Sequence, residues 1–232
     1  MSNNHGDIAI EAPASYKWVE GTLTKITYVA EAGDVKYESL QKAIDAAKSK
    51  AVVTMLADTR ENVTISTPYN GLMLHASAAA LGGRAYLFSG PCGRGKSTHT
   101  RLWQQTFGEA VQVFNDDKPA LRRLDGRWYA YGTPWCGKDG INLNQKWPLG
   151  GICFLEKSQE NRIRRLSAAE ALPLILAQTT YRLPPQYMEL LLASLDSLLR
   201  EIPVFLLENR PEEAAARLSF ETMRRAAEEE GL

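Results

Sequence analysis

The strongest constraint on the fold of this chain comes from residues 85–103, which read AYLFSGPCGRGKSTHTRLW. An apolar run opens this stretch and predicts a short buried strand, and the segment from Lys96 onward predicts a helix. The turn between them matches the GxxxxGK[ST] pattern of a phosphate-binding loop. The four residues that fill the pattern are Gly90, Gly95, Lys96 and Ser97. The flanking strand and helix are the context that such a loop requires.

The residue types in this turn suit the binding of a polyphosphate. Backbone N–H groups converge on the anion, and close approach requires positions without a bulky side chain, which glycines provide. Lys96 can reach the β- and γ-phosphates, and the Ser97 hydroxyl can ligate Mg²⁺. We therefore expect ATP to lie against one segment of the chain: Gly90, Pro91, Cys92, Gly93, Arg94, Gly95, Lys96, Ser97 and Thr98.

The composition excludes several classes of protein. With 27 basic and 27 acidic residues among 232, the chain has no global positive field to hold nucleic acid or an anionic membrane. No signal peptide and no apolar run of about 18 residues are visible, so we expect a cytoplasmic protein. The three cysteines, Cys92, Cys136 and Cys153, form no CxxC pair. This spacing predicts free thiols and no zinc site.

Residues 1–66 predict a small β-α-β-β segment that precedes a larger domain, residues 67–232. Alternation predicts a strand over residues 22–29, helical periodicity follows from Leu40, and two short strands are predicted at residues 52–56 and 63–65. The segment has two interpretations. It is either a recognition module for an acceptor or partner, or it adds strands to the sheet of the following domain, and we favour the second.

Two carboxylates follow an apolar strand at residues 111–114, where Asp116 and Asp117 begin the phrase DDKPAL. Open α/β sheets bind their ligands at the carboxyl ends of strands. Beside a phosphate loop, one carboxylate there would hold Mg²⁺, and a second could accept a proton from an attacking hydroxyl. The alternative is an ordinary Asx turn at the end of the strand.

Three weaker signals surround this pair. His75 lies on a strand that leads toward the loop, where a lone histidine is more often packed than functional. Lys138 and Asp139 lie in a second glycine-rich loop and could meet phosphate and metal. Later in the chain, Ser167 and Glu170 form a capping box for a helix that we expect to reach Gln178.

Five ordered motifs give the chain a resemblance to a known family. They read LHAS, GPCGRGKST, NDDKPAL, GTPWCGKDGIN and ICFLEKSQENRIRRL. Together they resemble the HPr kinase/phosphorylase-related kinases, which are akin to ATP-dependent phosphoenolpyruvate carboxykinase. The match covers residues 71–223 and does not include residues 1–66. It implies an α/β fold in which a central mixed β-sheet and flanking helices surround the phosphate loop.

The resemblance also implies roles for individual residues. His75 corresponds to a histidine that assists a general base acting on a serine hydroxyl, and Asp116 corresponds to that base. Ser97 corresponds to a magnesium ligand, and we assign Asp117 and Asp139 to the same metal. Lys96 completes the predicted catalytic group. One departure is clear, because Pro134 stands where the sugar-transport regulators carry a magnesium-binding glutamate.

The sequence therefore predicts an ATP- and Mg²⁺-dependent kinase that phosphorylates a hydroxyl. The expected acceptor is a serine of a peptide, a protein or a small molecule, since the Pro134 departure and the unmatched residues 1–66 make HPr itself a doubtful substrate. The alternative is a nucleotide-sensing protein that binds ATP and transfers nothing. Whether the chain forms a homo-oligomer is left open.

Overall fold

A computed structural model describes residues 16–19, 22–47, 53–56, 71–179 and 188–232. The chain separates into two compact units, Met1–Ile65 and Ser66–Leu232. All three cysteines are free, with Cys92 and Cys136 exposed and Cys153 buried. Across the described ranges, no helix combines the length and the apolar character needed to cross a membrane.

The first unit contains five short strands and one helix among its described residues. They are β1 (Tyr16–Val19), β2 (Thr22–Lys25), β3 (Ala30–Ala32), β4 (Val35–Tyr37), α1 (Leu40–Ala46) and β5 (Val53–Met55). β1 and β2 form a hairpin, and a separate antiparallel sheet has the order β4-β3-β5. Ser39 caps α1 by accepting the Lys42 N–H through its hydroxyl.

The observed strands before α1 are more numerous than the single one predicted. The predicted strand at residues 22–29 is confined to Thr22–Lys25. A hairpin follows it because Gly33, at φ 63°, folds β4 back onto β3 in a conformation that glycine adopts without strain. The strand predicted at residues 63–65 lies outside the described residues.

The second unit carries the phosphate-loop motif and alternates strands with four helices in its described part. Its elements are β6 (Gly71–Met73), β7 (Ala76–Leu81), β8 (Arg84–Ser89), α2 (Lys96–Phe107), β9 (Gln112–Asn115), β10 (Ala120–Leu124), β11 (Arg127–Tyr131), β12 (Lys146–Lys157), β13 (Arg162–Arg165), α3 (Ala168–Gln178), α4 (Met188–Glu201), β14 (Val204–Asn209) and α5 (Glu213–Glu229). The α/β class predicted from the sequence is confirmed.

The strands of this unit form one mixed sheet. Its order is β6-β10-β11-β12-β8-β7-β9, with β14 also pairing with β12 and β13 pairing with β14. β12 is antiparallel to β11 over its first residues and parallel to β8 and β14 over the rest. The predicted central mixed sheet is therefore present, and one strand joins its antiparallel and parallel parts.

Glycines occupy the point where β12 changes neighbours. A Cβ at Gly150 would lie 3.0 Å from the ring of Tyr86, and a Cβ at Gly151 would lie 3.0 Å from the end of Met223 on α5. Both distances are shorter than a side chain normally tolerates. The absence of a side chain at these two positions lets Tyr86 and α5 pack directly against the strand.

Helices cover both faces of the sheet. Alternate residues of β7 enter different core clusters, since Ala78 belongs to one cluster and Ala79 to the other. The first cluster includes Ile175 of α3 and Leu195 of α4, and the second includes Trp103 of α2. This two-sided burial explains why β7 and β8 consist mainly of apolar and small residues and do not alternate between apolar and polar positions.

The predicted helices and strands of the second unit are largely observed, although His75, which was predicted to lie on a strand, falls between β6 and β7. α3 ends at Gln178 as expected, and its capping box is present, with the Ser167 N–H donating to Glu170 at 2.9 Å. These hydrogen bonds, together with Arg164, lower the pKa of Glu170 to about 2. Strands β10 and β13 were not predicted from the sequence. Both are rich in arginine, so they lack the apolar signal of a buried strand.

Candidate functional site

The loop between β8 and α2 has a backbone shape that only glycine adopts readily. Gly90, Gly93 and Gly95 have φ values of 140°, 81° and 97°, all in the region where a side chain is strained. A Cβ built at Gly93 or Gly95 would meet nothing within 4 Å, so open space lies beside the loop. The first N–H groups of α2 have no partner within the helix and carry its positive dipole end. This geometry suits an anion.

Lys96 lies against the loop that it follows. Its ammonium donates to the carbonyl oxygens of Gly90 at 2.9 Å and Pro91 at 3.3 Å. Burial lowers the pKa of Lys96, and the nearby Cys92 and Asp117 oppose that shift. The ammonium is therefore held by neutral carbonyls and is attracted by the Asp117 carboxylate. A phosphate oxygen would be a stronger partner than either carbonyl.

The other predicted nucleotide-binding residues line the outside of the loop. Ser97 is half-buried at the start of α2, and Thr98 is exposed. The exposed loop residues are Pro91, Cys92, Gly93 and Arg94. Behind them, the buried hydroxyl of Thr100 lies 2.9 Å from that of Ser77 on β7, which fixes α2 to the sheet.

A buried asparagine organises the turn that carries the two aspartates. The Asn115 side-chain oxygen accepts the N–H groups of Asp117 at 3.2 Å and Lys118 at 2.8 Å, which is an Asx turn. Its amide nitrogen donates to the carbonyl oxygens of Thr133 at 3.1 Å and Trp135 at 3.0 Å. The Asx turn considered as an alternative to function is thus present, and it presents the carboxylates in a fixed direction. Sequence analysis missed Asn115, although its place before an acidic pair is the signal of such a turn.

Asp116 faces inward. The residue is 5% exposed, and its two side-chain oxygens accept the N–H groups of Gly137 at 2.7 Å and Asp139 at 3.1 Å. Both N–H groups belong to the second glycine-rich loop, residues 133–140. The carboxylate of Asp116 therefore anchors this loop, and a hydroxyl has little access to it.

Asp117 lies near Lys96 of the glycine-rich loop and has a histidine beside it. Its Oδ1 lies 3.6 Å from Nε2 of His75, and its Oδ2 lies 3.4 Å from the ammonium of Lys118. The side chains of Asp117 and His75 are 24% and 31% exposed, so both are accessible. The sequence prediction paired His75 with Asp116. The structure instead brings His75 to Asp117, because the Asx turn directs adjacent side chains to opposite sides.

His75 is held by three neighbouring segments. Its N–H donates to the Gln178 carbonyl at 2.8 Å, and its Nδ1 lies 2.9 Å from the Gln178 side-chain oxygen. The His75 carbonyl accepts a hydrogen bond from the Ser89 hydroxyl at 2.9 Å, and Ser89 directly precedes the glycine-rich loop. The next N–H, that of Ala76, donates to the Asp117 carbonyl at 2.9 Å. These bonds bring the ends of β8, β9 and α3 together around His75.

The predicted metal ligands are less closely associated. Asp139 forms an ion pair with Arg101 of α2, and Pro134 offers no carboxylate. Within the described ranges, no group of three or more His, Cys, Asp or Glu side chains is arranged to hold a metal ion. Mg²⁺ bound to nucleotide phosphates requires only one or two protein carboxylates in addition to the phosphates and water. The donors present, Ser97 with Asp117 or Asp139, are sufficient in kind for such a site.

Comparisons with known proteins leave the family open. No protein-family model matches the chain, and no curated protein matches it. Among solved structures, the HPr(Ser) kinase/phosphatase from Coxiella burnetii is similar with a TM-score of 0.39 and 14% sequence identity, over 66% of this chain and 88% of that chain. A likeness at this TM-score carries no argument about the site.

Proposed function

We propose that this protein is an ATP- and Mg²⁺-dependent phosphotransferase that phosphorylates a hydroxyl, with serine in a peptide, a protein or a small molecule as the expected acceptor. One observation carries the proposal. Asp117 lies 3.6 Å from His75 and is near Lys96 of the glycine-rich loop, whose pKa is lowered by burial and is partly restored by Cys92 and Asp117. A carboxylate-histidine pair beside a loop whose geometry suits an anion supplies a proton acceptor for a hydroxyl that attacks a phosphoryl group.

We assign the proton-accepting role to Asp117 with His75, in place of the sequence-based assignment to Asp116. Both oxygens of Asp116 already accept backbone N–H groups, and the residue is 5% exposed. Asp117 is accessible and has a partner for the proton. As the acceptor O–H bond breaks, the proton passes to the Asp117-His75 pair and the freed oxygen bonds to the γ-phosphorus of ATP. The bond between that phosphorus and the β–γ bridging oxygen breaks, and ADP leaves with the electron pair of that bond.

The remaining residues would hold and orient the nucleotide. Residues 90–98 and the Lys96 ammonium would bind the phosphates, and Lys96 would exchange the carbonyl oxygens of Gly90 and Pro91 for phosphate oxygens. Ser97, with Asp139 released from Arg101, would hold Mg²⁺. The metal ion, when bound, neutralises charge on the phosphate oxygens.

A nucleotide sensor without transfer is the second candidate. Its support is the ion pair between Arg101 and Asp139, which joins the helix of the phosphate loop to the second glycine-rich loop. Through this pair, nucleotide bound at one loop would change the position of the other. A sensor has no use for the Asp117-His75 pair, and this is why we rank it second.

Labelled ATP separates the two candidates. The full chain is incubated with γ-labelled ATP, Mg²⁺ and a panel of free serine, free threonine, peptides and cell extract, and any labelled acceptor is identified. We expect Asp117→Asn to bind ATP normally and to lose about 10²- to 10⁴-fold in single-turnover transfer. The matched control is Asp196→Asn, which changes an exposed carboxylate on α4.

Two results would overturn these assignments. ATP binding without any labelled acceptor would favour the sensor. Transfer by Asp117→Asn at the parental rate would remove Asp117 from the proton-accepting role.

A further inference from the structure

One face of the sheet in the second unit carries a partly exposed cluster of tyrosine and basic side chains. The rings of Tyr129 and Tyr131 on β11 lie 6.5 Å apart, and the ammonium of Lys146 lies 5.1 Å from the centre of the Tyr129 ring. Both tyrosines are half-buried, and neither belongs to a core cluster. Lys146 is exposed. The cluster therefore lies outside the packed core of the second unit.

The strand register shows which other residues share this face. Ala120 of β10, Tyr131 of β11 and Lys146 of β12 are paired in register across three strands. Because side chains alternate between the two faces along a strand, Trp128 and Ala130 belong to the opposite face and to the core. We name the outer face the tyrosine face. Its members on β10, β11 and the start of β12 are Ala120, Arg122, Leu124, Arg127, Tyr129, Tyr131, Lys146 and Pro148.

The charge of the tyrosine face is positive. It contains the basic residues Arg122, Arg127 and Lys146, and none of its positions is Asp or Glu. Arg127 and Lys146 are exposed. Since the whole chain has 27 basic and 27 acidic residues, this is a local excess of positive charge. A surface with one sign of charge attracts a partner of the opposite sign and orients it.

Lys118 connects the tyrosine face to the candidate site. Its ammonium lies 3.4 Å from Oδ2 of Asp117, and its N–H donates to the Asn115 side-chain oxygen at 2.8 Å. Only Pro119 separates it from the start of β10. A ligand that extends from the Asp117 carboxylate along β10 therefore meets Lys118 first and the basic residues of the tyrosine face after it.

We propose that the tyrosine face binds an acidic peptide segment, and that this segment presents the acceptor serine to Asp117. The inference rests on the proposed phosphotransferase function and adds the class of acceptor, an acidic peptide or protein segment in place of free serine. Leu124, six residues after Lys118, is paired with Arg127. At about 3.3 Å per residue this distance is roughly 20 Å, which is the length of about six extended residues.

The chemistry of each part of the face suits such a segment. Acidic side chains of the peptide would pair with Lys118, Lys146 and Arg127, and the apolar parts of its chain would lie on the two tyrosine rings. A free amino acid is too short to contact both Asp117 and the far end of the face. Binding along the face would hold the serine hydroxyl beside the carboxylate.

Nucleic acid is the other polyanion that a basic face with aromatic residues could bind. Nucleic-acid binding draws much of its affinity from many lysine and arginine contacts with phosphates. The tyrosine face has few basic residues, the chain has no net positive charge, and the Asp117 carboxylate at the end of the face would repel phosphates. An acidic peptide is therefore the better match.

Peptide binding to the full chain tests the inference without any transfer assay. Three fluorescent peptides contain one serine flanked by glutamates, by glutamines or by lysines, and fluorescence anisotropy measures the Kd of each. We expect the glutamate peptide to bind at least 10-fold more tightly than the glutamine peptide, and the lysine peptide not to bind. An increase of NaCl from about 0.05 M to about 0.3 M should weaken binding of the glutamate peptide, because salt screens exposed charges.

Charge reversal locates the binding surface. Arg127→Glu combined with Lys146→Glu should weaken binding of the glutamate peptide by about 10-fold or more, because like charges then face each other. The matched control is Arg162→Glu combined with Arg225→Glu, which changes the net charge equally at exposed positions on β13 and α5. Arg127→Gln and Lys146→Gln should each weaken binding by about 2- to 5-fold, as expected of exposed ion pairs. Unfolding in urea verifies that each variant is folded.

Transfer from γ-labelled ATP then tests the link to the site. We expect the glutamate peptide to be labelled with a higher kcat/KM than the glutamine peptide. Charge reversal on the tyrosine face should raise KM for the glutamate peptide and leave kcat nearly unchanged.

The outcomes separate this inference from the proposed function. Equal affinity for the glutamate and glutamine peptides, or an unchanged Kd after charge reversal on the tyrosine face, would overturn the inference even if some acceptor is labelled. Tighter binding of a thymidine oligonucleotide than of the glutamate peptide would also overturn it. If the glutamate peptide binds as expected and no peptide is labelled, the binding surface stands and phosphoryl transfer is overturned.

Discussion

The two glycine-rich loops of the site are held in place by different means. Residues 90–95 take their shape from their own backbone, with three glycines at positive φ and with Lys96 bonded to the carbonyls just before it. The second loop, residues 133–140, is held from outside, by Asn115 and Asp116 at the end of β9. The first loop is encoded locally, whereas the second depends on residues about 20 positions earlier.

Because of this difference, substitutions in the two loops should affect different properties of the protein. A change in the first loop should alter ligand binding and leave the free energy of unfolding nearly unchanged. A change in the anchors of the second loop should first destabilise the protein, because those side chains are buried and fully bonded.

Asp116→Asn should destabilise the protein most. An asparagine can accept through only one oxygen, so the N–H of Gly137 or of Asp139 would face an amide N–H₂ group. Each buried donor left unpaired costs about 1–3 kcal/mol, and the lost charge adds to this. We expect the free energy of unfolding in urea to fall by roughly 3 kcal/mol while ATP still binds. If the free energy of unfolding falls by less than about 1 kcal/mol, no more than for Asp196→Asn, then Asp116 does not hold the second loop in place.

Lys96→Ala should weaken ATP binding and leave the stability of the protein nearly unchanged. It removes the ammonium that would bind the phosphates, and hydrogen bonds to charged groups contribute about 1.5–3 kcal/mol, or about 10- to 100-fold in affinity. Calorimetry should show at least this loss, so that tight ATP binding is abolished, with the unfolding midpoint little changed. Lys36→Ala, which changes an exposed lysine on β4 of the first unit, is the control. Unchanged ATP affinity in Lys96→Ala would show that the first loop does not bind phosphate.

His99→Gln tests the buried face of α2, the helix that follows the first loop. Burial lowers the pKa of His99 from 6.5 to about 3. Between these values the unfolded chain binds a proton that the folded protein excludes, so stability is lost as pH falls from about 6.5 toward 3. At pH 5 this loss is about 2 kcal/mol relative to pH 8.

Glutamine at position 99 can still donate to Ser219 but does not titrate. Urea unfolding at pH 8 and pH 5 should therefore show a pH-dependent loss that is smaller in His99→Gln by about 2 kcal/mol. An equal loss in both proteins would mean that His99 takes up a proton while the protein is folded.

Arg101→Gln should have the smallest effect. The ion pair with Asp139 is partly exposed, with 55% of the arginine side chain accessible, and such pairs contribute about 0.2–1 kcal/mol. We expect no measurable change in global unfolding. Hydrogen exchange at Gly140 should become faster, whereas exchange at Gly95 should not. Equal acceleration at both glycines would show that the two loops are not held separately.

The sequence predicted the locally encoded parts of this molecule well. The strand before the glycine-rich loop, the helix after it and the Ser167-Glu170 capping box all depend on residues within a few positions of each other. Strands β10 and β13 were missed because their arginines hide the apolar alternation that marks a strand.

The arrangement of the candidate site was less accessible to sequence reasoning. Residue types placed Asp116, Asp117 and His75 in one region, but the partner of His75 depends on which way each carboxylate leaves the Asx turn. That direction is set by Asn115, whose own partners lie 18 and 20 residues further along the chain. Gln178 is 103 residues from His75, so no local pattern could have indicated it.

The 12 residues of β12 have a mechanical consequence for the whole second unit. At about 3.3 Å per residue the strand extends roughly 36 Å, and it is hydrogen-bonded to β11 near its start and to β8 and β14 beyond. Both parts of the sheet are therefore hydrogen-bonded to this one strand. The two parts of the sheet therefore resist sliding past each other.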